Sequence, residues 1–102
     1  MKPPHFQSSP SLEQVYLIER DAGLLCRILG LYASRGIDVL RADYAYAAKD
    51  VMTLKVCVAS EPEGVAEVLR VLVDKAASFV GVLAAAEQPT AMQRVGPSFR
   101  AA

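Results

Sequence analysis

The 102-residue chain is short of most features that would settle a function outright. It has no net charge: 11 basic residues balance 11 acidic ones. A nucleic-acid binder is expected to carry a basic excess or stripe, and none is visible. No apolar run approaches the roughly 18 residues that a membrane span needs. The opening residues, MKPPHFQSSPS, hold one lysine and no apolar stretch behind it, so no secretory signal is expected and the chain reads as cytoplasmic. Two cysteines, Cys26 and Cys57, lack CxxC spacing and are too few for a disulfide framework; free, buried or half-buried thiols are expected. The one histidine, His5, lies in the proline-rich start. No Ser–His–Asp, Cys–His or paired-carboxylate constellation is apparent. These absences argue against an enzyme, a metal site and a cofactor.

What remains is hydrophobic patterning. Residues 1–11 contain three prolines and three serines and read as a flexible lead-in. Leu12–Glu19 is apolar without alternation, as in a central strand buried on both faces. Arg20-Asp21-Ala22-Gly23 breaks that strand, and Asp21 suits the N-cap of a helix. Leu24, Leu25, Ile28, Leu29, Leu31 and Tyr32 follow at helical spacing, with Arg27 and Arg35 on the wet side. Gly36 fits a left-handed helix end. Ile37–Ala48 alternates as a strand, with Leu40, Ala42, Tyr44 and Tyr46 on one face and Val39, Arg41, Asp43 and Ala45 on the other; its charges suit a sheet edge. Lys49-Asp50 predicts a hairpin turn into a third strand, Val51–Ala59. Ser60-Glu61-Pro62-Glu63 reads as a helix start with Ser60 as cap. A second apolar stripe runs through Val65, Val68, Leu69, Leu72, Val73 and Ala76. Phe79–Ala86 predicts a fourth strand.

The order βαββαβ predicts an α+β fold: a ferredoxin-like sandwich, a four-stranded antiparallel sheet in the order 4-1-3-2 with two helices on one face. The domain is read as residues 12–87, followed by a loose polar tail, 88–102. Several modules share this plan. An RNA-recognition module needs stacking aromatics on its central strands, and VMTLKVCVA has none. A copper-chaperone module needs CxxC before its first helix. An acylphosphatase-like site needs a glycine-rich phosphate cradle around its arginine, and RDAG lacks one.

The glycine-marked loop at Gly23 hands a strand over to a helix N-terminus, whose free N–H groups can receive an anion such as a carboxylate. The run that follows, Gly23-Leu24-Leu25-Cys26-Arg27-Ile28-Leu29-Gly30-Leu31-Tyr32-Ala33-Ser34-Arg35-Gly36-Ile37-Asp38-Val39, resembles the ACT domain, a small-molecule-sensing module. Within that family it is similar to the regulatory (small) subunit of acetolactate synthase, whose first helix follows the pattern A-L-S-R-V-x-G-L-F-S-x-R-G-Y-N-I. Gly23, Leu25, Arg27, Gly30, Leu31, Arg35 and Gly36 agree in type and position. Beyond residue 40 the likeness is one of pattern. Each glycine also has a physical reading: Gly23 for close approach of backbone to a ligand or neighbouring chain, Gly30 for close packing on the sheet or a partner helix, Gly36 for the left-handed turn.

The resemblance implies a homodimer joined by edge-strand pairing, with a small amino-acid effector at the seam. The effector would lie between the strand-one/helix-one loop of one chain and the start of strand two of the other. Carried onto this sequence, the candidate ligand-binding residues are Arg20, Asp21, Ala22, Gly23, Leu24, Leu25, Asp38 and Val39. The family's valine-holding asparagines fall at Arg20 and Asp38, so both amides are replaced, by opposite charges. Across a seam these two can pair and fill the site, or receive a ligand's carboxylate and ammonium. The resemblance further implies the short, ACT-only form of the subunit, which binds and activates a thiamine-diphosphate catalytic subunit; Arg41, Asp43, Lys55 and the first helix are the contact candidates. The alternatives are a stand-alone ACT dimer that senses another small molecule and an assembly module that binds none.

Overall fold

The computed structural model describes residues 11–60 and 64–89. Six elements follow the expected order: β1 (Ser11–Glu19), α1 (Ala22–Ser34), β2 (Val39–Ala48), β3 (Val51–Ala59), α2 (Val65–Ala77) and β4 (Val82–Pro89). They form one antiparallel sheet in the order β2-β3-β1-β4, the reverse reading of 4-1-3-2. The strand pair β1–β3 runs in register from Ser11 opposite Ala59 to Glu19 opposite Val51. A bulge interrupts β1–β4 between Leu17 and Ile18. β1 takes in Ser11 and β4 runs on to Pro89, so the sheet extends slightly beyond residues 12–87 at each end.

Period-two alternation sorts the sheet into two faces. Tyr16 and Ile18 of β1, with Leu54, Val56 and Val58 of β3, meet Leu24, Ile28 and Tyr32 of α1 and Val65, Leu69, Leu72, Val73 and Ala76 of α2 in one buried cluster. Both helices therefore cover the same face. Each large aliphatic group so buried contributes about 1.5–3 kcal/mol. β1 is buried on both sides, as its unbroken apolar run predicts: Val15, on the other face, is as inaccessible as Tyr16.

A small polar cluster sits in this core. Gln14 is 1% exposed. Tyr32, in the last turn of α1, donates its hydroxyl hydrogen to Gln14 Oε1 at 2.9 Å and accepts from the Tyr16 hydroxyl at 2.7 Å. No fully buried side-chain nitrogen or oxygen among the described residues lacks a partner. The backbone of Tyr32 closes the helix as well. Its carbonyl accepts from the N–H of Ile37 while Gly36 N–H donates to the Ala33 carbonyl, and Gly36 takes φ +68°. This is a Schellman ending, as Gly36 predicts.

Four local expectations are corrected. The second helix begins at Val65 with Gly64, not Ser60, at the N-cap, and Pro62 lies outside the described residues. The fourth strand begins at Val82, because Phe79–Gly81 is spent on a turn in which Val82 N–H donates to the Phe79 carbonyl. β2 carries bulges between Val39 and Arg41 and between Tyr46 and Ala48. The first bulge moves Val39 to the helix side, opposite Val58, where it joins Ala42, Tyr44 and Tyr46. Gly30 does not pack closely on the sheet: it is exposed, and a Cβ there would meet nothing within 4 Å.

Two outcomes follow from this packing. Gly30→Ala is expected to stabilise the isolated chain by about 0.5–1 kcal/mol in urea unfolding, because the helix gains propensity and nothing is displaced. The tyrosines make stability fall in alkali. Burial pushes the Tyr16 phenol up to about 12, opposed by its hydrogen bond with Tyr32 and aided by the charge of Glu87. Burial, then the neighbouring Tyr16, holds Tyr32 above its ordinary range. The unfolded chain ionises its tyrosines from about pH 10 while the folded one keeps these two protonated, so stability should decline from about pH 10 upward by roughly 1.4 kcal/mol per pH unit per group. Tyr32→Phe should make that decline shallower. It should also cost about 1–3 kcal/mol at neutral pH by stranding Gln14.

Candidate functional site

The β1–α1 loop is tied down on three sides. Glu19 N–H donates to the Gly81 carbonyl at 2.8 Å, Arg20 N–H donates to the Asp50 carbonyl at 2.9 Å, and the Arg20 guanidinium meets Asp50 Oδ1 at 3.2 Å. Asp21 then caps α1, as expected. Its Oδ1 accepts from Gly23 N–H at 2.8 Å and from Leu24 N–H at 3.3 Å. The helix start that could receive an external carboxylate thus already holds one from its own chain. Gly23 belongs to this cap: a Cβ there would lie 3.3 Å from Asp21 Oδ1.

Two residues not named as site residues from the sequence shape the loop. Asp50 takes φ +60° in the β2–β3 turn, where a short polar side chain is tolerated, and holds Arg20 by both its carbonyl and its carboxylate. The hairpin signal at Lys49-Asp50 located the turn but not its neighbour. Gly81 takes φ +101° with its Cα against α1, so that a Cβ would stand 2.8 Å from Leu24 Cδ2. Only glycine satisfies both conditions without movement. Beside these, Glu19, Arg20, Asp50, Val51 and Leu83 line an open groove of about 430 Å³. Arg27, one turn into α1, lies 4.5 Å from the centroid of the Phe79 ring, linking α1 to the end of α2.

The structure brings Arg20, Asp21, Ala22, Gly23, Leu24 and Leu25 together at one end of the sheet. Asp38 and Val39 are not among them. Val39 pairs with Val58, and Val58 with Leu12, at the far end of β1 from Arg20. The separation is on the order of 20 Å at the rise of a strand. The eight candidate residues therefore form no single site within one chain. Arg20 has its ion-pair partner, Asp50, inside its own chain. Among the described residues no three His, Cys, Asp or Glu side chains converge as metal ligands, and no helix is long and apolar enough to cross a membrane.

No protein-family model matches the sequence, and no curated protein does. Solved structures do share the fold. The C-terminal domain of the MgtC protein from Mycobacterium tuberculosis is similar at 16% identity and a TM-score of 0.67, over 85% of this chain and 94% of that one. The ACT domain of GTP pyrophosphokinase from Chlorobium tepidum matches at 15% identity and a TM-score of 0.63, over 79% of this chain and all of its own. An ACT domain protein from Streptococcus pneumoniae matches at 13% identity and a TM-score of 0.65, over 88% of this chain and 100% of that one. At such identities the likeness is one of fold: the chain has the architecture of ACT domains.

The grip on Arg20 is testable by substitution. Asp50→Asn keeps a residue tolerant of the left-handed backbone and loses only an exposed ion pair, so stability should drop by at most about 0.5 kcal/mol. Asp50→Ala should cost about 1–2 kcal/mol, because the β-carbon is strained at φ +60° without compensation. Thermal unfolding of both variants gives the order.

Proposed function

We propose that this chain is a non-catalytic regulatory module of the ACT type, and more specifically a short regulatory subunit of acetolactate synthase type that acts as a homodimer. In this role it binds and activates a catalytic subunit of branched-chain amino-acid biosynthesis. The specific part of the reading rests on the residues matched between Gly23 and Val39; the regulatory part rests on the ACT-like fold and the lack of catalytic side chains in the sequence.

The observation that carries the dimer is β2. All ten of its residues are exposed, and it lies at the edge of the sheet. On the helix side it presents Tyr44 and Tyr46, the latter 66% exposed, with Leu40 at the bulge 60% exposed. Leu25 and Leu29 of α1 are half-buried on the helix flank opposite Arg27, and so face toward β2 rather than α2. Edge, apolar floor and apolar flank together make a notch that a second copy fills by continuing the sheet. The other edge, β4, is shorter and ends in Pro89, which cannot donate to a ladder. Such a dimer also brings Asp38 and Val39 of one chain toward the loop end of the other, which the split candidate site requires.

For the effector, the geometry favours a closed or altered site over retained valine sensing. Arg20 is engaged by Asp50, and the first N–H groups of α1 are engaged by Asp21. This supports a module that assembles without an amino-acid ligand, or a stand-alone ACT dimer with a different ligand, as the second reading.

Co-expression with a catalytic acetolactate synthase subunit is the test. A stable complex with raised turnover and little response to valine is expected. If no complex forms at micromolar concentrations, the acetolactate synthase assignment is wrong, and calorimetric titration with other amino acids tests the stand-alone reading.

A further inference from the structure

The face of β2 away from the helices carries its charges, and they form a self-complementary pattern. Arg41 Nε lies 3.0 Å from Asp43 Oδ2 along the strand. Asp43 is directly opposite Lys55 of β3, and Arg41 is opposite Cys57. On the free side of β2, neither charge has a strand neighbour among the described residues. Between the two bulges, residues 41–46 pair regularly and offer an undistorted edge.

We infer that two copies join along β2 in one register, centred on Ala42, with Arg41 of each chain opposite Asp43 of the other. This inference rests on the dimer proposed above and supplies its geometry. The exposed apolar residues of β2 lie on the helix side. Joining them into one floor requires the helices of both chains on the same face, hence a two-fold axis perpendicular to the sheet. Such an axis centres the seam on a single residue, which then faces itself, because facing residues must point to the same side.

The charges then choose the centre. A seam centred on Arg41 sets guanidinium against guanidinium. One centred on Asp43 sets carboxylate against carboxylate. One centred on Tyr44 sets Asp43 against the partner's Ala45 and leaves both charges unmatched. Centring on Ala42 sets Arg41 against the partner's Asp43 and, by symmetry, Asp43 against the partner's Arg41. Each row then alternates in sign: Lys55, Asp43, the partner's Arg41. Opposite charges facing across strands stabilise a pairing and like charges oppose it. On the helix side the same register sets two alanines at the axis, which lets the backbones meet unhindered.

Sedimentation and cross-linking of the full chain test this. Asp43→Arg and Arg41→Asp should each weaken self-association by about tenfold or more, since each sets like charges against one another at both symmetry-related positions. An equimolar mixture of the two variants should recover dimerisation as a heterodimer, which a misfolded variant cannot do. On a Cys26→Ser, Cys57→Ser background, Ala42→Cys should oxidise to a covalent dimer, while Asp43→Cys and Tyr44→Cys should not. A wild-type dimer whose charge variants associate as strongly as the parent, or which cross-links through position 43 or 44, overturns the register and leaves the dimer standing. A wild-type chain that stays monomeric overturns both.

Discussion

Tyr32 is the residue on which the arrangement of this molecule turns. Its hydroxyl reaches the sheet and joins Gln14 and Tyr16 in a closed chain of hydrogen bonds. Its carbonyl closes the end of α1 by accepting from the N–H groups of Arg35 and Ile37. One residue thus sets both where the helix rests on β1 and where the chain leaves it. A buried polar chain of this kind is costly when incomplete and directional when complete, so it selects one placement of α1 among those that apolar contacts alone would allow. The starting point of β2 follows from that placement.

The exposure of β2 is a consequence of topology. α1 joins β1 to β2 and so crosses β3; α2 joins β3 to β4 and so crosses β1. The core gathers over β1 and β3, where Leu54, Val56 and Val58 are sealed, and no helix among the described residues covers β2. β2 is held by β3 along one side and left bare on its faces and outer edge. Natural sheets blunt such an edge or use it. Here the edge carries tyrosines on one face and a pair of opposite charges on the other, the surface that the proposed dimer would cover.

The loop end of the sheet carries a different lesson. On the reading proposed above, Arg20 and Asp38 take the places of the asparagines of acetolactate synthase regulatory subunits. In the folded chain the arginine is gripped by the β2–β3 turn, and the helix start is occupied by Asp21. An anion-friendly helix terminus is a common feature of α/β architecture; whether a ligand finds it free depends on what the neighbouring turn supplies. Structures with 13–16% identity share this fold, and the fold carries several functions, so the chemistry of this loop and of the β2 edge is what distinguishes this chain.

The amino-acid sequence by itself determined the elements, their order and the strand arrangement, because period-two and helical patterns, Asp21 and Gly36 are local signals read from a few adjacent residues. It located the central strand from an unbroken apolar run and the edge strand from Arg41 and Asp43. It could not place Gly64, Gly81 or the β2 bulges, whose roles depend on what lies opposite: Gly81 is required by Leu24, 57 positions earlier in the chain. It could not pair Arg20 with Asp50 for the same reason, since a loop and a turn distant in sequence meet only when β1 and β3 align. Tertiary structure alone decided that Asp38 and Arg20 sit at opposite ends of the sheet, that Gly30 faces open space, and that β2 is exposed at the sheet edge. Each of these is a statement about neighbours in space, which only the packed core brings together.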